Sequence, residues 1–529
     1  MRRFLIMLLS AVLCLSAFGC GQGSTVDDNN NKNKTELIPQ GYIKTVVQPA
    51  TGVKTDTIGV EFDPHFFSQN VTRGNVKAED WDIVVNRVKE LKVQKFRIMI
   101  LPEWLEPLND DSDDSNINWD ALTVNSVEMQ SLYKVLDLAQ ENNIEVNLTL
   151  WGAGNYVSLI DGDTNALVGG KHFLAKNNSA NNWVVGSKYP KEFAENFSMF
   201  VQLLVVKKNY TCIKEITPIN EPDWSYQIDN LTDNGRPGIF KDYAELCREL
   251  DARFKKDGIR DKVLFNLSDN TDNAQYWLEK TVDELDDIAD KYNSHTYIFG
   301  YETKNSTIAA WQAENYRIVK YTGKQHVIGE FGSNRVSGST RQLDVDLYER
   351  GVLLVRQMVN FFNNGAAGTS YWTLLDQYYK RGATYGEMMQ LGLWKSAKED
   401  YREDPIYYNT IKKDYEIRPM YYAYGLMSRL IEKNSDIYPL EINDDFVAGT
   451  AFKAPDGKWT YVIANGGKSS YKAAISNGDN FGDFDLYVYS QDTLPTGDIG
   501  IQASQELSFE NRVLSVEINQ NTVVVLKQK

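Results

Sequence analysis

The sequence predicts an α/β protein, a (β/α)8 TIM barrel followed by a C-terminal β-sandwich. Between about residues 57 and 430, short apolar runs rich in β-branched residues alternate eight times with longer amphipathic stretches, a pattern typical of parallel β/α units. Past residue 436 the helical periodicity ends, and short strand-like runs separated by turns follow. A chain of 529 residues is too long for one ordinary domain but suits a large barrel with a small partner domain.

The amino terminus predicts an exported protein with a lipid anchor. Two arginines precede an uninterrupted apolar run over residues 4–18, which ends at Gly19 and Cys20. This pattern predicts a signal peptide over residues 1–19, and the apolar run is too short to span a bilayer as a stable helix. The position of Cys20 resembles that of the lipidated cysteine in bacterial lipoproteins. The alternative is an ordinary secreted protein whose signal ends near a cysteine.

Residues 20–38 are predicted to form a flexible tether. They are mostly Gln, Gly, Ser, Asp, Asn and Lys, so they cannot offset their ordering entropy by burial. The expected location is therefore the bacterial cell envelope, at the outer membrane or cell surface, with the lipid as the only membrane contact. A periplasmic or secreted protein is the other option, and the membrane leaflet is left open.

The barrel is predicted over residues 39–435. Its candidate strands are 57–62, 95–101, 145–151, 213–220, 263–267, 292–297, 326–330 and 368–374. Its candidate helices are 78–91, 127–140, 191–208, 240–256, 274–290, 307–321, 344–363 and 420–433. The helical stretches repeat apolar residues at steps of three and four, as Trp81, Val84, Val85 and Val88 do. Eight such alternations favour a closed barrel over an open sheet.

The β-sandwich is predicted over residues 436–529. Residues 447–454 and 458–465 form a candidate hairpin because Asp456-Gly457 supplies the turn that joins twisted strands. Further candidate strands are 484–489, 513–518 and 522–526, with residues 42–47 on the amino-terminal side.

Composition excludes several functional classes. The formal net charge of −16 argues against a nucleic-acid partner, whose phosphates would be repelled. The chain has four histidines without an HExxH motif or a paired-cysteine motif, which disfavours zinc and Ser-His-Asp chemistry. We therefore predict no cofactor and no metal. Cys212 and Cys247 would be the cysteines of the folded part, either as a disulfide or as two buried thiols.

Two glutamates follow predicted strands at the end of the barrel where active sites lie. Glu221 comes after Asn220 at the end of the fourth candidate strand, and Glu330 closes the seventh. Acetal cleavage needs two such carboxyl groups, one to protonate the departing oxygen and one to meet the oxocarbenium-like centre. A retaining pair should be about 5–5.5 Å apart, and an inverting pair wider.

The Asn-Glu-Pro sequence at 220–222, together with Gly-Glu-Phe-Gly at 329–332, resembles clan A of the glycoside hydrolases, which includes the cellulase-like family 5. The resemblance covers the barrel, about three quarters of the chain. It implies that Glu221 is the general acid/base and that Glu330 is the nucleophile of a retaining enzyme.

The same resemblance assigns roles to further strand-end residues. Asn220 would donate to the sugar 2-hydroxyl, and Trp372 would form the aromatic floor under the cleaved sugar. His295 and Tyr297 share one face of the sixth strand, with Tyr297 bonded to the nucleophile. Arg97 would keep Glu330 ionised, since an arginine among apolar strand residues is rarely buried without a carboxylate partner. Strand-end capping for Asn220 and core packing for Trp372 are the structural alternatives.

Aromatic residues on the predicted loops suggest a cleft with several sugar subsites. We expect Trp151 and Trp224 to contact substrate, within a set that also contains Trp104, Trp183, Tyr226, Tyr378, Tyr379 and Trp394. The prediction is a monomeric, endo-acting enzyme on a β-linked polysaccharide or oligosaccharide. Two alternatives remain: an exo-acting β-glycosidase with a pocket closed by the loops 152–189 and 376–418, and a non-catalytic glycan-binding lipoprotein. Sugar and linkage are left open.

Overall fold

The computed structural model describes most of the chain beyond residue 35. The described residues are 36–67, 76–106, 115–150, 190–225, 237–333, 342, 344–381, 385–402, 404–478 and 481–529. The predicted signal peptide, Cys20 and nearly all of the tether lie outside them, as do Trp151, Trp183 and Tyr226.

Eight parallel strands close into a barrel, which confirms the predicted fold class. After β1 (Ile43–Val46), the barrel strands are β2 (Ile58–Glu61), β3 (Lys95–Ile100), β4 (Glu145–Leu150), β5 (Ile213–Thr217), β6 (Leu264–Asn270), β7 (Lys291–Ile298), β8 (Gln325–Ser333) and β9 (Gly368–Tyr371). Pairing of β9 with β2 closes the barrel, with Thr369 opposite Ile58.

Helices connect the barrel strands. The longer ones are Ala78–Leu91, Val127–Glu141, Pro190–Val201, Pro237–Lys256, Gln275–Leu285, Asn305–Val319, Glu349–Asn363 and Met420–Leu430. A π-helix, Gln202–Lys207, extends the third of these, and Pro222–Ser225 and Pro405–Tyr408 are single turns. Among the described residues, no helix is both long and apolar enough to cross a membrane.

The first long helix shows why these segments fold as they do. Ala78–Leu91 buries Val84, Val88 and Leu91, which recur on one face at helical spacing. At its start, the Asp80 carboxylate accepts a hydrogen bond from the backbone N–H of Lys77 at 2.9 Å. That bond satisfies a donor that the helix itself leaves unpaired.

Barrel strands are buried on both faces, as parallel strands covered by helices are. Every residue of β3 is buried. Phe96, Ile98 and Ile100 alternate with Lys95 and Arg97, and the two basic side chains bond to groups of other barrel strands. The barrel interior is therefore charged at two successive levels of one strand.

After the last barrel strand, β10 (Gln377–Arg381) and β11 (Tyr385–Met389) form a separate hairpin. The second domain follows and is a two-sheet β structure. Its strands are β12 (Asp436–Pro439), β13 (Val447–Lys453), β14 (Trp459–Asn465), β15 (Tyr471–Ser476), β16 (Asp483–Tyr489), β17 (Gln505–Ser508), β18 (Leu514–Ile518) and β19 (Thr522–Gln528). One sheet has the order β12-β13-β14-β19-β16-β17, and the other β1-β15-β18.

β1 joins this second domain because it pairs in parallel with β15, so the segment before the barrel contributes a strand to the β-sandwich. Residues 455–457 connect β13 and β14 where a turn was expected, with Gly457 at φ +90°. β12, β15 and β17 were not among the predicted strands, and neither was the β10–β11 hairpin.

The two domains share a packed interface. The ring of Tyr348, just before helix Glu349–Asn363, stacks on Tyr489 of β16 with centroids 4.5 Å apart. The Tyr489 hydroxyl donates to the Tyr348 carbonyl at 2.7 Å. A Cβ at Gly351 would lie 2.3 Å from that hydroxyl, so glycine permits this close approach.

Candidate active site

Glu221 and Glu330 meet at the carboxyl end of the barrel. Glu221 follows β5 with φ +45°, immediately before the short helix Pro222–Ser225, and Glu330 lies within β8. One carboxylate oxygen of each lies within 4.8 Å of the other and of a ring nitrogen of His295. The Glu221 side chain is 28% exposed, against 10% for Glu330. The pair is therefore close enough for the retaining geometry, and Glu221 is the more accessible member.

His295 joins the two carboxyl groups. Its Nδ1 is 2.9 Å from Glu221 Oε1 and 3.7 Å from Glu330 Oε2, and its Nε2 is 3.1 Å from Asp269 Oδ1. Burial lowers the pKa of His295, but the Asp269 and Glu330 carboxylates outweigh it and raise the pKa well above the ordinary value. The raised pKa favours the imidazolium form of His295, which can donate from both nitrogens.

Arg97 organises the other side of the site. Its Nη1 donates to Glu61 Oε2 at 3.0 Å and to Glu330 Oε2 at 3.2 Å. Its Nη2 donates to Asn220 Oδ1 at 2.7 Å and to Asp269 Oδ2 at 2.9 Å. Because Arg97 is only 1% exposed, these charge-assisted bonds replace its hydration.

The pKa of Glu330 is raised above the ordinary glutamate value. Burial is the main cause, with His295 and Arg97 opposing it and the facing Glu221 adding to it. The Tyr297 hydroxyl donates to Glu330 Oε1 and also opposes the shift. The sequence led us to expect Arg97 to hold this carboxyl ionised. Arg97 does favour the ionised form, but burial outweighs that contribution.

Two acidic members of the site were missed by the sequence interpretation. Glu61 ends β2 and is 1% exposed, and burial raises its pKa well above the usual range although Arg97 opposes the shift. A charged residue among apolar strand residues was the signal that identified Arg97, and it would have identified Glu61. Asp269 lay beyond the predicted end of its strand at residue 267, and its φ of +51° gives no sequence signal.

The aromatic predictions have mixed outcomes. Trp372 lies just after β9, is 6% exposed, and donates its backbone N–H to the Phe331 carbonyl at 3.0 Å. The backbone of Trp224 is in the short helix after Glu221, but the side chains of Trp224, Tyr378 and Tyr379 lie outside the described part of the structure. Trp394 is fully buried, so it packs in the core and offers no sugar platform.

The cluster of Glu221, His295 and Glu330 could also be considered as a metal site, since each offers one ligand atom within 4.8 Å of the others. The 2.9 Å between His295 Nδ1 and Glu221 Oε1 is a hydrogen-bond distance. Hydrogen bonding accounts for this closeness without an ion.

Cys212 and Cys247 are free and buried, which settles the alternative left open by the sequence. Burial raises the pKa of the Cys212 thiol to about 11 and that of Cys247 to about 12. Both are therefore unreactive thiols at neutral pH.

Comparison with known proteins gives similarity in fold. No family model matches the sequence, and no curated protein matches it. Solved structures with a similar fold include the catalytic domain of the GH30 xylanase C from Talaromyces cellulolyticus, with 13% identity and a TM-score of 0.61. The aligned region covers 92% of this chain and all of that one.

Two further structures have similar folds and different named substrates. An endo-β1,6-glucanase has 14% identity and a TM-score of 0.60, with 93% of this chain and 94% of that one covered. The GH51 arabinofuranosidase from Xanthomonas axonopodis pv. citri has 12% identity and a TM-score of 0.57, with 92% and 100% covered. The xylanase carries a family 30 name and the arabinofuranosidase a family 51 name, so a relation to family 5 stays a prediction.

Proposed function

We propose that the protein is a retaining glycoside hydrolase that cleaves β-linked polysaccharide by double displacement. One observation carries the proposal: Glu221 and Glu330 present carboxylate oxygens within 4.8 Å of each other. Retaining enzymes hold their carboxyl groups about 5–5.5 Å apart, whereas inverting enzymes need about 6.5–9.5 Å to admit a water molecule. Similarity in fold to several glycoside hydrolases supports the same reading.

In the first step, Glu330 attacks the anomeric carbon while Glu221 gives its proton to the departing glycosidic oxygen. The C–O bond to the leaving group breaks and a glycosyl ester forms on Glu330. Tyr297 and Arg97 bond to the Glu330 oxygens, so they orient the carboxylate for attack.

In the second step, Glu221 acts as the base. It takes a proton from water, and the resulting hydroxide attacks the anomeric carbon and releases Glu330. Formation of the ester has meanwhile removed the Glu330 charge, which leaves His295 free to stabilise the Glu221 carboxylate through the 2.9 Å contact. The two steps together return the β configuration.

Substrate contacts follow from the strand-end residues. Asn220 accepts a hydrogen bond from Arg97 through Oδ1, and its amide N–H groups are the proposed donors to a sugar hydroxyl. Trp372 forms the floor of the cleaved-sugar site, and Trp151 and Trp224 extend the cleft. We favour endo action on a polymer, with an exo-acting β-glycosidase as the alternative.

The proposed location is the bacterial cell envelope. Cys20, after an apolar run that ends at residue 18, would carry the lipid, and the polar residues that follow would form the tether. A protein placed in this way acts on an extracellular or periplasmic glycan as a monomer. Intact-mass analysis of membrane-associated protein tests this point, since acylation at Cys20 adds a lipid mass that Cys20→Ala removes.

The activity test compares wild type with Glu330→Gln on β-linked glucans, mannans, xylans and galactans. We expect reducing ends to be released from one polymer by wild type, and no release by the variant. Products on an end-labelled oligosaccharide ladder separate endo action, which gives internal fragments, from exo action, which gives one terminal unit.

Azide separates the two glutamate roles. With an activated substrate, Glu221→Ala should be rescued by azide to a β-glycosyl azide, because azide replaces the activated water. Glu330→Ala should give the α-glycosyl azide, because azide replaces the nucleophile.

Binding of one polymer by wild type without any turnover would support the glycan-binding alternative and reject the hydrolase.

A further inference from the structure

The loop that carries Glu221 is tied to the loop after β6 by a buried side-chain contact. Asp223, two residues beyond Glu221, is 1% exposed. Its Oδ1 accepts the backbone N–H of Thr271 at 3.0 Å, and its Oδ2 accepts the Thr271 hydroxyl at 2.6 Å. Thr271 lies two residues beyond Asp269. One carboxylate therefore satisfies two donors of a loop that leads directly into the active site.

These contacts complete a closed ring around Glu221. The backbone leads from Glu221 to Asp223, and hydrogen bonds lead from Asp223 to Thr271. The backbone then leads to Asp269, whose Oδ1 is 3.1 Å from His295 Nε2. His295 Nδ1 returns to Glu221 Oε1 at 2.9 Å. Each link is either a two-residue stretch of chain or a hydrogen bond.

The ring holds two unfavourable backbone conformations. Glu221 has φ +45° and Asp269 has φ +51°, and residues with side chains disfavour this left-handed region. Such conformations persist only where surrounding contacts determine them. Asp223 and Thr271 lie two residues from these positions and bond to each other, so their contact opposes relaxation of both loops together.

We propose that Asp223 and Thr271 are positioning residues. They close this ring and hold the Glu221 carboxyl against His295, in the position from which Glu221 gives its proton to the glycosidic oxygen. The proposal rests on the proposed function in assigning Glu221 the acid/base role. Neither residue touches the reacting atoms, so their effect passes through the placement of Glu221.

Asp223 must be ionised to accept both donors fully. Burial raises the pKa of Asp223 to about 6, with the Thr271 donors opposing this and Glu221 adding to it. The charged groups that face it among the described residues are Glu221 and His295. As pH falls through about 6, Asp223 gains a proton and the ring loosens. The acid limb of the kcat profile should therefore contain an ionisation that Asp223→Asn removes.

The first test needs no substrate. In protein labelled with ¹⁵N-histidine, four histidines contribute ring N–H signals, and the His295 Nδ1–H shared with Glu221 should be protected and shifted downfield. Thr271→Val keeps the backbone donor and loses the hydroxyl, so this signal should broaden or shift. Thr271→Ser keeps both donors and should restore it.

The second test measures turnover. Asp223→Asn should lower kcat roughly 10- to 100-fold, Thr271→Val about 10-fold, and Thr271→Ser about twofold at most, each with KM within about twofold. Thr281→Val is the matched control, because the buried Thr281 hydroxyl bonds only to the Trp277 carbonyl of its own helix among the described contacts. It should change neither kcat nor the His295 signal.

The outcomes separate this proposal from the proposed function. If wild type hydrolyses no β-glycan, the function fails, and the His295 signal still tests the ring. If wild type is active while Thr271→Val retains both its kcat and an unchanged His295 signal, the ring proposal is overturned. Loss of kcat in Thr271→Val with an unchanged signal also rejects it, because the effect would not pass through Glu221. Should Asp223→Asn fail to fold, the two Thr271 variants decide the matter alone.

Discussion

Among the residues that the structure describes, a buried charge cluster lies at each end of the barrel, and the two clusters differ in their balance of charge. The amino-end cluster consists of Lys95, Lys291, Asp56 and Glu215, whose nitrogen–oxygen distances run from 2.6 to 3.2 Å. The carboxyl-end cluster sets two cations against four carboxyl groups and consists of Arg97, His295, Glu61, Asp269, Glu221 and Glu330. Lys95 and Arg97 are two residues apart on β3, so one strand supplies a cation to each.

The balance of charge changes the pKa values. At the amino end, burial raises the pKa of Asp56 and Glu215, but the two lysines outweigh it and lower both. At the carboxyl end, burial prevails at Glu61 and Glu330, which keep raised pKa values. Balanced ion pairs fix the ionised state, whereas an excess of carboxyl groups leaves protons to be moved, as acid/base chemistry requires. We therefore expect the amino-end cluster to serve stability and the carboxyl-end cluster to serve the proposed activity.

The largest expected effect is on catalysis at the carboxyl end. Glu330→Gln should lower kcat on the order of 10⁴-fold or more because the nucleophile is lost. The melting temperature should stay equal or rise, since the change removes one carboxylate from a cluster that has too many. Kinetics and thermal unfolding of the same preparation measure kcat and the melting temperature. A large loss of stability in Glu330→Gln would show that the carboxyl-end cluster is needed for folding stability as well.

The matching change at the amino end should show the reverse pattern. Glu215→Gln leaves Lys95 and Lys291 with one carboxylate between them, and an unpaired buried charge costs about 3–5 kcal/mol. Denaturant unfolding should register this loss, while kcat of the folded protein changes by about twofold or less. A drop in kcat comparable to that of Glu330→Gln would show that the two ends are not separate.

The pH dependence of stability should differ in sign between the ends. Because the folded-state pKa of Glu61 is raised, the native state holds a proton that the unfolded chain releases. Stability should therefore decline as pH rises above the ordinary glutamate value. Glu61→Gln cannot lose a proton and should flatten this decline, as unfolding in urea at several pH values from 5 to 8 would show.

At the amino end the lowered pKa values of Asp56 and Glu215 give stability that is present above their ordinary values. This stability is lost as pH falls through the folded-state values. Glu215→Gln should reduce this acid sensitivity and leave the slope of stability against pH above about pH 5 unchanged, although its stability there is lower than that of wild type. If the unfolding free energy of Glu61→Gln depends on pH in the same way as that of wild type, the two clusters do not differ in the sign of their pH dependence.

The smallest effect is expected at the edge of the amino-end cluster. Lys433 Nζ lies 3.2 Å from Asp56 Oδ1, and its side chain is 39% exposed. Asp56 already pairs with two buried lysines, and exposed ion pairs contribute about 1 kcal/mol or less. Lys433→Met should therefore lower the unfolding free energy by less than ~1 kcal/mol. Denaturant unfolding of Glu215→Gln, which loses buried ion pairs, gives the larger change for comparison.

The sequence predicted the barrel because its repeats leave a strong local pattern. Each candidate strand contains or overlaps an observed one, and the two predicted glutamates lie together with Arg97, His295 and Tyr297. β15 was missed because Tyr471–Ser476 carries lysine, alanine and serine, which signal a strand only when its partner strands are known. Strands of this composition are recognised from their cross-strand packing, which the sequence alone does not give.

The missing members of the site have a similar explanation. Asp269 and Asp223 act through partners far along the chain, His295 and Thr271, and no local pattern reveals those contacts. The pKa of Glu330 likewise depends on how completely the fold buries it, which the presence of Arg97 alone could not indicate. Strand-end position predicts which residues meet, whereas burial and partners decide their protonation.

The stereochemistry of the first product decides whether Glu330 is the nucleophile of a retaining enzyme. Proton NMR of the anomeric region, recorded within seconds of adding enzyme to a β-linked oligosaccharide that it cleaves, identifies the anomer released before mutarotation. We expect the β-anomer, because the separation of the Glu221 and Glu330 carboxyl groups leaves no room for a nucleophilic water between Glu330 and the anomeric carbon. Initial release of the α-anomer would show inversion and would contradict the assignment of Glu330 as the nucleophile.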